Sequence, residues 1–151
     1  DSASIHTAID EVLARTGGTL HALFNNAGYG QPGAVEDLRR NVIRAQFETN
    51  LFGMLELTNR IIPVMRAQGQ GRIIQNSSLL GLVALPYRGA YNASKFAMEG
   101  LTDTLRLELR RSRMIALWLG VIAVAVVAIA TFLSYRFAER ERGLKTREAV
   151  L

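Results

Sequence analysis

The chain has 151 residues, of which 49% are hydrophobic, so it has about the length of one domain and can bury a sizeable core. Its net charge of +5 is uneven, because residues 1–105 are electrically balanced and residues 106–151 carry the whole excess. These basic residues flank an apolar run, which favours membrane topology determinants over a nucleic-acid-binding face. The sequence has no cysteine, which excludes disulfides and thiolate metal sites, and His6 and His21 are too far apart to predict a metal centre.

The first predicted elements are a helix, a strand and a long helix. Asp1 or Ser2 can cap a helix whose apolar residues share one face, and a glycine pair ends it. LHALFNNAG then predicts a short buried strand that runs into a glycine turn. An apolar rhythm of roughly 3.6 residues predicts one long helix over about residues 38–65, which Pro63 either kinks or ends.

A second strand and a third helix complete the pattern. RIIQNSS predicts a short strand, LLGLVALPYRG a loop, and about residues 91–113 a helix. The order helix, strand, helix, strand, helix predicts an α/β architecture with a parallel sheet.

Residues 114–135 differ in kind from the rest of the chain. They carry no charge and are rich in Val, Ala, Ile and Leu, and about 20 apolar residues span a bilayer core. Trp118 and Tyr135 lie near the ends, as interfacial aromatic residues do. No glycine or proline interrupts residues 101–119, so we expect the third helix to continue without a break into a transmembrane helix. The alternative is a buried central helix or strand.

The glycine pattern GYGQPG, residues 28–33, matches G-x-G-x-x-G after a predicted strand. A dinucleotide fingerprint also needs a short helix and a second strand with an acidic residue about 20 residues further on. Here the next strand ends only at Asn76 and Ser77, without an acid. We therefore interpret GYGQPG as a loop and not as a phosphate cradle.

Four polar residues form a more specific constellation. YNASK places Tyr91 and Lys95 four residues apart, on one face of a helix. Ser78 follows a strand end upstream, and Asn50 lies mid-helix among apolar neighbours. Each feature alone is common, since YxxxK arises by chance and SS after a strand is usually a turn. Their occurrence in this order, together with NNAG at residues 25–28, is hard to attribute to chance.

These motifs resemble those of the short-chain dehydrogenase/reductase family. The matching pieces are LFNNAG, FETNLFG, GRIIQNSS with its following LLG, and YNASKFAMEGLTDTLRLELR, within about residues 1–111. The resemblance implies a partial Rossmann-like doubly wound fold, with two parallel strands and long helices. It also implies hydride transfer between NAD or NADP and an alcohol or carbonyl substrate.

The resemblance also implies the roles of individual residues. Tyr91 would exchange a proton with the substrate oxygen, while Lys95 would favour the phenolate and hold the nicotinamide ribose. Ser78 would orient the substrate oxygen, and Asn50 would hold a water that links Lys95 to solvent. The implied catalytic residues are thus Asn50, Ser78, Tyr91 and Lys95. The implied cofactor-binding residues are Asn25, Asn26, Ala27, Gly28, Tyr91 and Lys95.

Alternatives stand beside these roles. Tyr91, Lys95 and Ser78 could be ordinary surface polar residues, and Asn50 could simply bond a helix carbonyl. Residues 1–151 also contain neither the family's glycine-rich phosphate motif nor the residue that selects NAD or NADP. RSRMIALWLGV stands where the family has a further strand and a proline-glycine loop. We therefore expect this chain by itself to be inactive and to show no measurable NAD(P)H binding. The alternative function is a truncated or fused, non-catalytic, membrane-anchored protein.

The predicted organisation has three parts. Residues 1–113 form a partial catalytic region, residues 114–135 a transmembrane helix, and residues 136–151 a charged juxtamembrane tail. The prediction is a single-pass membrane protein with its catalytic region in the cytoplasm. Its partners are an alcohol or carbonyl substrate and the lipid bilayer, with no nucleic acid and no metal. The resemblance adds a homodimer through the helices at residues 38–65 and 91–113. The apolar loop LLGLVALPYRG favours a lipophilic substrate, unless it is apolar only because it packs on the fold.

Overall fold

The computed structural model describes the backbone of residues 1–148, and the side chains of these residues except 111–113, 116 and 138–148. The last three residues of the predicted tail lie outside the described residues. In chain order the main elements are α1 (Ser2–Arg15), β1 (Ala22–Asn25), α2 (Arg40–Phe47), α3 (Gly53–Ala67), β2 (Arg72–Gln75) and α4 (Gly89–Glu148). A π-helix at Glu48–Phe52 joins α2 to α3, and short 3₁₀ helices occur at Val35–Asp37 and Leu79–Gly81.

The first helix begins and ends where its sequence predicts. The Asp1 carboxylate accepts a hydrogen bond of 2.9 Å from the Ser4 amide, which satisfies one of the free N–H groups at the start of α1. Gly17 and Gly18 then adopt φ of 64° and 79°, a left-handed conformation that side chains other than glycine rarely take. The capping residue and the glycine stop are both confirmed.

The two strands form a parallel pair, in the register Ala22 with Arg72 through Asn25 with Gln75. One face of this sheet is covered, because Leu23 and Ile73 pack against a core cluster from α1 and α3, made of Ile9, Ile61 and Met65. On the opposite face Phe24 and Ile74 are exposed. The α/β architecture with two parallel strands is confirmed, and the carboxyl ends of both strands meet at one edge of the sheet.

The helix predicted over residues 38–65 is not a single regular helix. Leu38 has extended backbone angles, so α2 begins at Arg40, and the wider π turn at Glu48–Phe52 separates α2 from α3. Pro63 lies inside α3, near its end at Ala67, in agreement with the prediction. An apolar rhythm of about 3.6 residues tolerates one wide turn, so the sequence could not reveal the interruption.

The last helix, α4, begins at Gly89 and continues to Glu148, so the predicted continuity beyond residue 113 is confirmed. The chain divides into two compact units, Asp1–Thr104 and Leu105–Leu151. In the second unit, an 18-residue window of the segment Leu117–Phe137 has a mean hydropathy of 2.5, and none of that window is buried within the chain. By length and composition this segment could span a membrane.

Candidate active site

A cavity of about 440 Å³ opens at the carboxyl ends of β1 and β2. The turn after β1, the turn after β2 and the first turns of α4 form its walls. Its lining residues are Asn26, Gly28, Tyr29, Gly30, Asn76, Ser77, Leu80, Leu85, Arg88, Tyr91 and Lys95. In open α/β sheets ligands bind beyond the carboxyl ends of the strands, so the cavity lies where this architecture places a site.

Tyr91 and Lys95 lie together on one wall of the cavity, as their spacing on α4 predicts. The Lys95 side chain is almost fully buried, and its ammonium donates a hydrogen bond of 2.6 Å to the Asn76 carbonyl oxygen. The ammonium lies 5.7 Å from the centroid of the Tyr91 ring, within the range of a cation–π contact. The lysine therefore ties the first turns of α4 to the end of β2 and places a positive charge beside the phenol.

Asn50 lies in the π-helix with no exposed surface. Its amide oxygen accepts from the Tyr29 amide at 3.0 Å, and its nitrogen donates to the Tyr29 carbonyl at 2.8 Å and to the Ser94 hydroxyl at 3.2 Å. Both amide hydrogens are thus used within the protein. A water held at this position would have to bond the main chain or the remaining lone pair of the amide oxygen. The predicted water relay stays a prediction.

Gln46 is a second buried amide at this site, and the sequence reasoning missed it. Its oxygen accepts from the Gln31 amide at 2.7 Å, and its nitrogen donates to the Tyr29 carbonyl at 2.6 Å. With Asn50, four residues later, it holds the loop of residues 29–31 that forms one wall of the cavity. The sequence contains a signal for this role, because Gln46 interrupts the same apolar rhythm in which Asn50 stands out as a polar residue.

Gln46→Leu is expected to lower the free energy of unfolding by roughly 1–3 kcal/mol, because the part-buried Gln31 N–H loses its partner. Chemical denaturation of the chain measures the change, and faster hydrogen exchange of the Gln31 amide locates it. Gln70→Leu makes the same chemical change at an exposed position and should be nearly neutral. Equal stability of the two variants would contradict the role assigned to Gln46.

The two adjacent serines after β2 occupy different positions. The Ser78 hydroxyl oxygen accepts from the Leu80 amide at 3.2 Å and caps the short 3₁₀ helix, and Ser78 is not among the cavity lining. Ser77 does line the cavity, and its buried hydroxyl has no hydrogen-bond partner among the described residues. A Cβ on Gly81 would lie 2.9 Å from that hydroxyl oxygen, so a larger residue there would have to displace the Ser77 side chain. The role of Ser78 stays a prediction.

The two asparagines of NNAG form hydrogen bonds between the segments that build the site. Buried Asn25 donates to the Thr58 hydroxyl and the Gln75 amide oxygen, both at 2.9 Å. Asn26, in the cavity wall, accepts from the Asn76 side chain at 2.6 Å and links the two strand ends.

The other two NNAG residues differ in what surrounds them. A Cβ on Gly28 would lie 3.2 Å from the amide oxygen of Asn50, which the Tyr29 bonds hold in place, so the close approach favours glycine. Ala27 lies instead beside a second cavity, of about 600 Å³. The cofactor contacts assigned to the NNAG residues stay predictions.

The sequence profile described as short chain dehydrogenase matches residues 1–141. The chain belongs to the short-chain dehydrogenase family. It is 47% identical over 109 residues to the uncharacterized oxidoreductase YbbO of Escherichia coli K12, covering 72% of this chain and 40% of that protein. It is 38% identical over 108 residues to 3-ketodihydrosphingosine reductase of Bacteroides thetaiotaomicron, again covering 72% and 40%. The chain thus spans about 40% of the length of these relatives.

A solved structure supports the family fold. A short-chain dehydrogenase/reductase of Burkholderia phymatum in complex with NAD superposes with a TM-score of 0.71 at 34% identity, covering 74% of this chain and 40% of that one. The family profile continues to residue 141, whereas these pairwise matches cover about 109 residues. The division at residue 113 between a catalytic region and a transmembrane helix therefore stays a prediction.

Proposed function

We propose that the chain supplies the catalytic part of an oxidoreductase that transfers hydride between NAD or NADP and an alcohol or carbonyl substrate. One observation carries the proposal: the Tyr91 phenol and the buried Lys95 ammonium share one cavity wall at the carboxyl ends of two parallel strands. The relative from Burkholderia phymatum was solved with NAD, which supports a nicotinamide cofactor for this chain as well.

The residues of the cavity fit the nicotinamide-ribose end of such a cofactor. An ammonium, two asparagine amides and a serine hydroxyl that has no hydrogen-bond partner among the described residues supply donors and acceptors suited to ribose hydroxyls and a carboxamide. In the proposal, Lys95 and the NNAG residues hold this end of the cofactor. The bound cofactor supplies or accepts the hydride.

The side chains of the chain handle the proton and the substrate oxygen. In carbonyl reduction, the Tyr91 hydroxyl donates its proton to the substrate oxygen, and in alcohol oxidation it takes that proton back. Lys95, fixed by Asn76, stabilises negative charge on the phenol oxygen and thereby assists both directions. Ser78 hydrogen-bonds the same substrate oxygen and orients it. Asn50 keeps the wall of residues 29–31 in position, and its proposed water connects Lys95 to solvent.

A chimera tests the proposal. The 108 residues of this chain that match the Bacteroides thetaiotaomicron reductase replace the corresponding segment of that protein, which keeps its own remaining sequence. The proposal predicts NAD(P)H-dependent reduction of a carbonyl substrate by the chimera. A folded chimera without turnover, whose native counterpart is active, would favour the alternative of a truncated or fused, non-catalytic, membrane-anchored protein.

A lipophilic substrate is proposed for the same cavity. Leu80 and Leu85 line it beside the polar residues, and both come from the apolar loop after β2. A relative of the chain is named for the reduction of 3-ketodihydrosphingosine, which supports this substrate class. The chimera should therefore reduce long-chain carbonyl compounds more efficiently than short-chain ones of the same reacting group.

A single membrane crossing, with the catalytic region in the cytoplasm, is proposed for residues 114–135, which overlap most of the apolar segment Leu117–Phe137. Its apolar side chains are exposed within the chain, unlike those of a core helix of a soluble protein. The chain should therefore stay in the membrane pellet during alkaline carbonate extraction. Val124→Arg should release it, because an arginine at the centre of a span costs about 2.5–3.5 kcal/mol on insertion scales.

Leu107→Arg is the matched control for this experiment. Leu107 is as exposed as the residues of the span but lies outside it, so its substitution should leave the chain in the pellet. Release of the unmodified chain into the carbonate supernatant would contradict the membrane assignment.

A homodimer through the long helices is proposed on the basis of family resemblance. On α4, Phe96 and Leu101 are exposed apolar side chains within the first unit, and such residues favour a protein partner where they form a continuous patch. Analytical ultracentrifugation of the chimera distinguishes a dimer from a monomer.

A further inference from the structure

Arg88 lies in the same cavity as Tyr91, immediately before α4 begins. A Cβ built on Gly30 would stand 3.4 Å from Nη1 of Arg88 and 3.5 Å from Cδ2 of Tyr91. The guanidinium and the phenol ring therefore flank one point of the cavity wall. A ligand that presents its reacting group to Tyr91 would have the guanidinium within its reach.

The charge of Arg88 has no partner within the part of the chain that the structure describes. Arg88 is half-buried, and its guanidinium takes part in none of the described ion pairs or side-chain hydrogen bonds. Lys95 adds a second positive charge to the lining, which contains no aspartate or glutamate, and the Lys95 ammonium already bonds Asn76. The cavity is thus positively charged, and among the described residues the Arg88 guanidinium is its charged group without a bonded partner.

Helix stability does not explain an arginine at this position. The start of a helix carries partial positive charge, so acidic residues stabilise it and basic residues do not. A guanidinium presents a planar pair of N–H donors that matches the two oxygens of a carboxylate. Leu80 and Leu85 of the same cavity offer apolar contacts for a carbon skeleton.

We propose that Arg88 is a specificity-determining residue that binds a carboxylate of the substrate. The substrates would then be apolar hydroxy or oxo carboxylic acids, with the alcohol or carbonyl at Tyr91 and the carboxylate at Arg88. This inference deepens the proposed function and rests on it for the reacting group only. The binding of the carboxylate itself depends on Arg88 and the charge of the cavity.

Binding of two probes with the same uncharged ring tests the inference without any turnover. Benzoate and benzamide share that ring and differ in the charge of the attached group, and their affinities for the complete chain in detergent micelles are measured by calorimetry. Benzoate should bind about tenfold more tightly than benzamide, because a carboxylate gains the charge-assisted bonds to the guanidinium. Arg88→Gln should abolish this preference, and Arg88→Lys should keep part of it.

Two further measurements keep the test decisive. Arg72→Gln removes a charge from an exposed position outside the cavity, so the preference for benzoate should survive it. If Arg88→Gln fails to fold, benzoate titration of the unmodified chain must instead shift the NMR signals of Gly30 and Tyr91. Equal affinity for both probes, an unchanged preference in Arg88→Gln, or unshifted signals would each overturn the inference.

The chimera separates this inference from the proposed function. The chimera could reduce benzaldehyde and show no preference for 4-carboxybenzaldehyde, both with Arg88 and with Arg88→Gln. That result would overturn the role of Arg88 and leave the oxidoreductase proposal in place. Selective benzoate binding by a chimera that reduces neither aldehyde would support Arg88 and count against the oxidoreductase proposal.

Discussion

Tyr91→Phe is expected to lower kcat of the chimera by roughly 10²–10⁴-fold, the usual contribution of a positioned proton donor or acceptor. The substitution removes only the hydroxyl group. The ring keeps its position beside Gly30 and its contact with the Lys95 ammonium, so folding and ligand binding should change little. The rate is followed by the loss of NAD(P)H absorbance at saturating substrate, which separates kcat from KM.

Tyr87→Phe is the matched control. Tyr87 lies just before α4, and its side chain is exposed. Its main-chain carbonyl accepts a hydrogen bond from the Gly33 amide, and the substitution keeps that bond. This variant should retain the turnover of the parent chimera. Near-normal kcat in Tyr91→Phe would remove Tyr91 from the catalytic assignment.

Asn50→Leu is expected to destabilise the first unit by about 3 kcal/mol, since each buried polar group that loses its partner costs roughly 1–3 kcal/mol. Leucine has a similar volume but leaves the Tyr29 amide and the Ser94 hydroxyl without the Asn50 bonds. Chemical denaturation gives the free energy of unfolding, and hydrogen exchange at the Tyr29 amide reports the loop directly. Asn59→Leu makes the same change at an exposed position on α3 and provides the control.

Combining Asn50→Leu with Gln46→Leu gives a sharper test of the loop contacts. Both amides donate to the Tyr29 carbonyl, so each single variant leaves that oxygen with one donor. The double variant leaves none, and its loss of stability should exceed the sum of the single losses, as residues that share a partner generally do not act independently. Strict additivity would show that the two amides do not act together on this carbonyl.

Local signals in the sequence predicted most of the architecture. Helix α1 could be placed because a capping aspartate and a glycine pair determine the conformation of the few residues around them. Both strands could be placed from their own short β-branched or apolar runs. The order of these elements then implied the parallel pairing. The π turn after Phe47 could not be predicted, because the apolar pattern tolerates one wide turn and because Asn50, which lies in the turn, bonds a residue distant in sequence.

The sequence motifs predicted the main residues of the candidate site but not the contacts between its segments. The spacing of Tyr91 and Lys95 brought them to one wall, as expected for residues four apart on a helix. Gln46, Ser77 and Arg88 were missed, because each matters through a neighbour distant in sequence. Gln46 bonds the loop at Tyr29, Ser77 faces a cavity that three segments enclose, and Arg88 lies beside Gly30 in the wall of that cavity.

The length of the segment Glu48–Phe52 is itself a constraint on variation. A π turn holds one residue more than the α-helical turn that could replace it, so deleting one residue there would leave a regular helix. Successive residues of an α-helix are rotated by about 100°, and the wide turn takes up this rotation for its extra residue, so α3 would keep its orientation after the deletion. Ile61 and Met65 would stay against the sheet, whereas Asn50 would lose its position beside the loop at Tyr29. Natural variants that shorten the segment by one residue should therefore keep the packing of α3 and lose the contacts of Asn50.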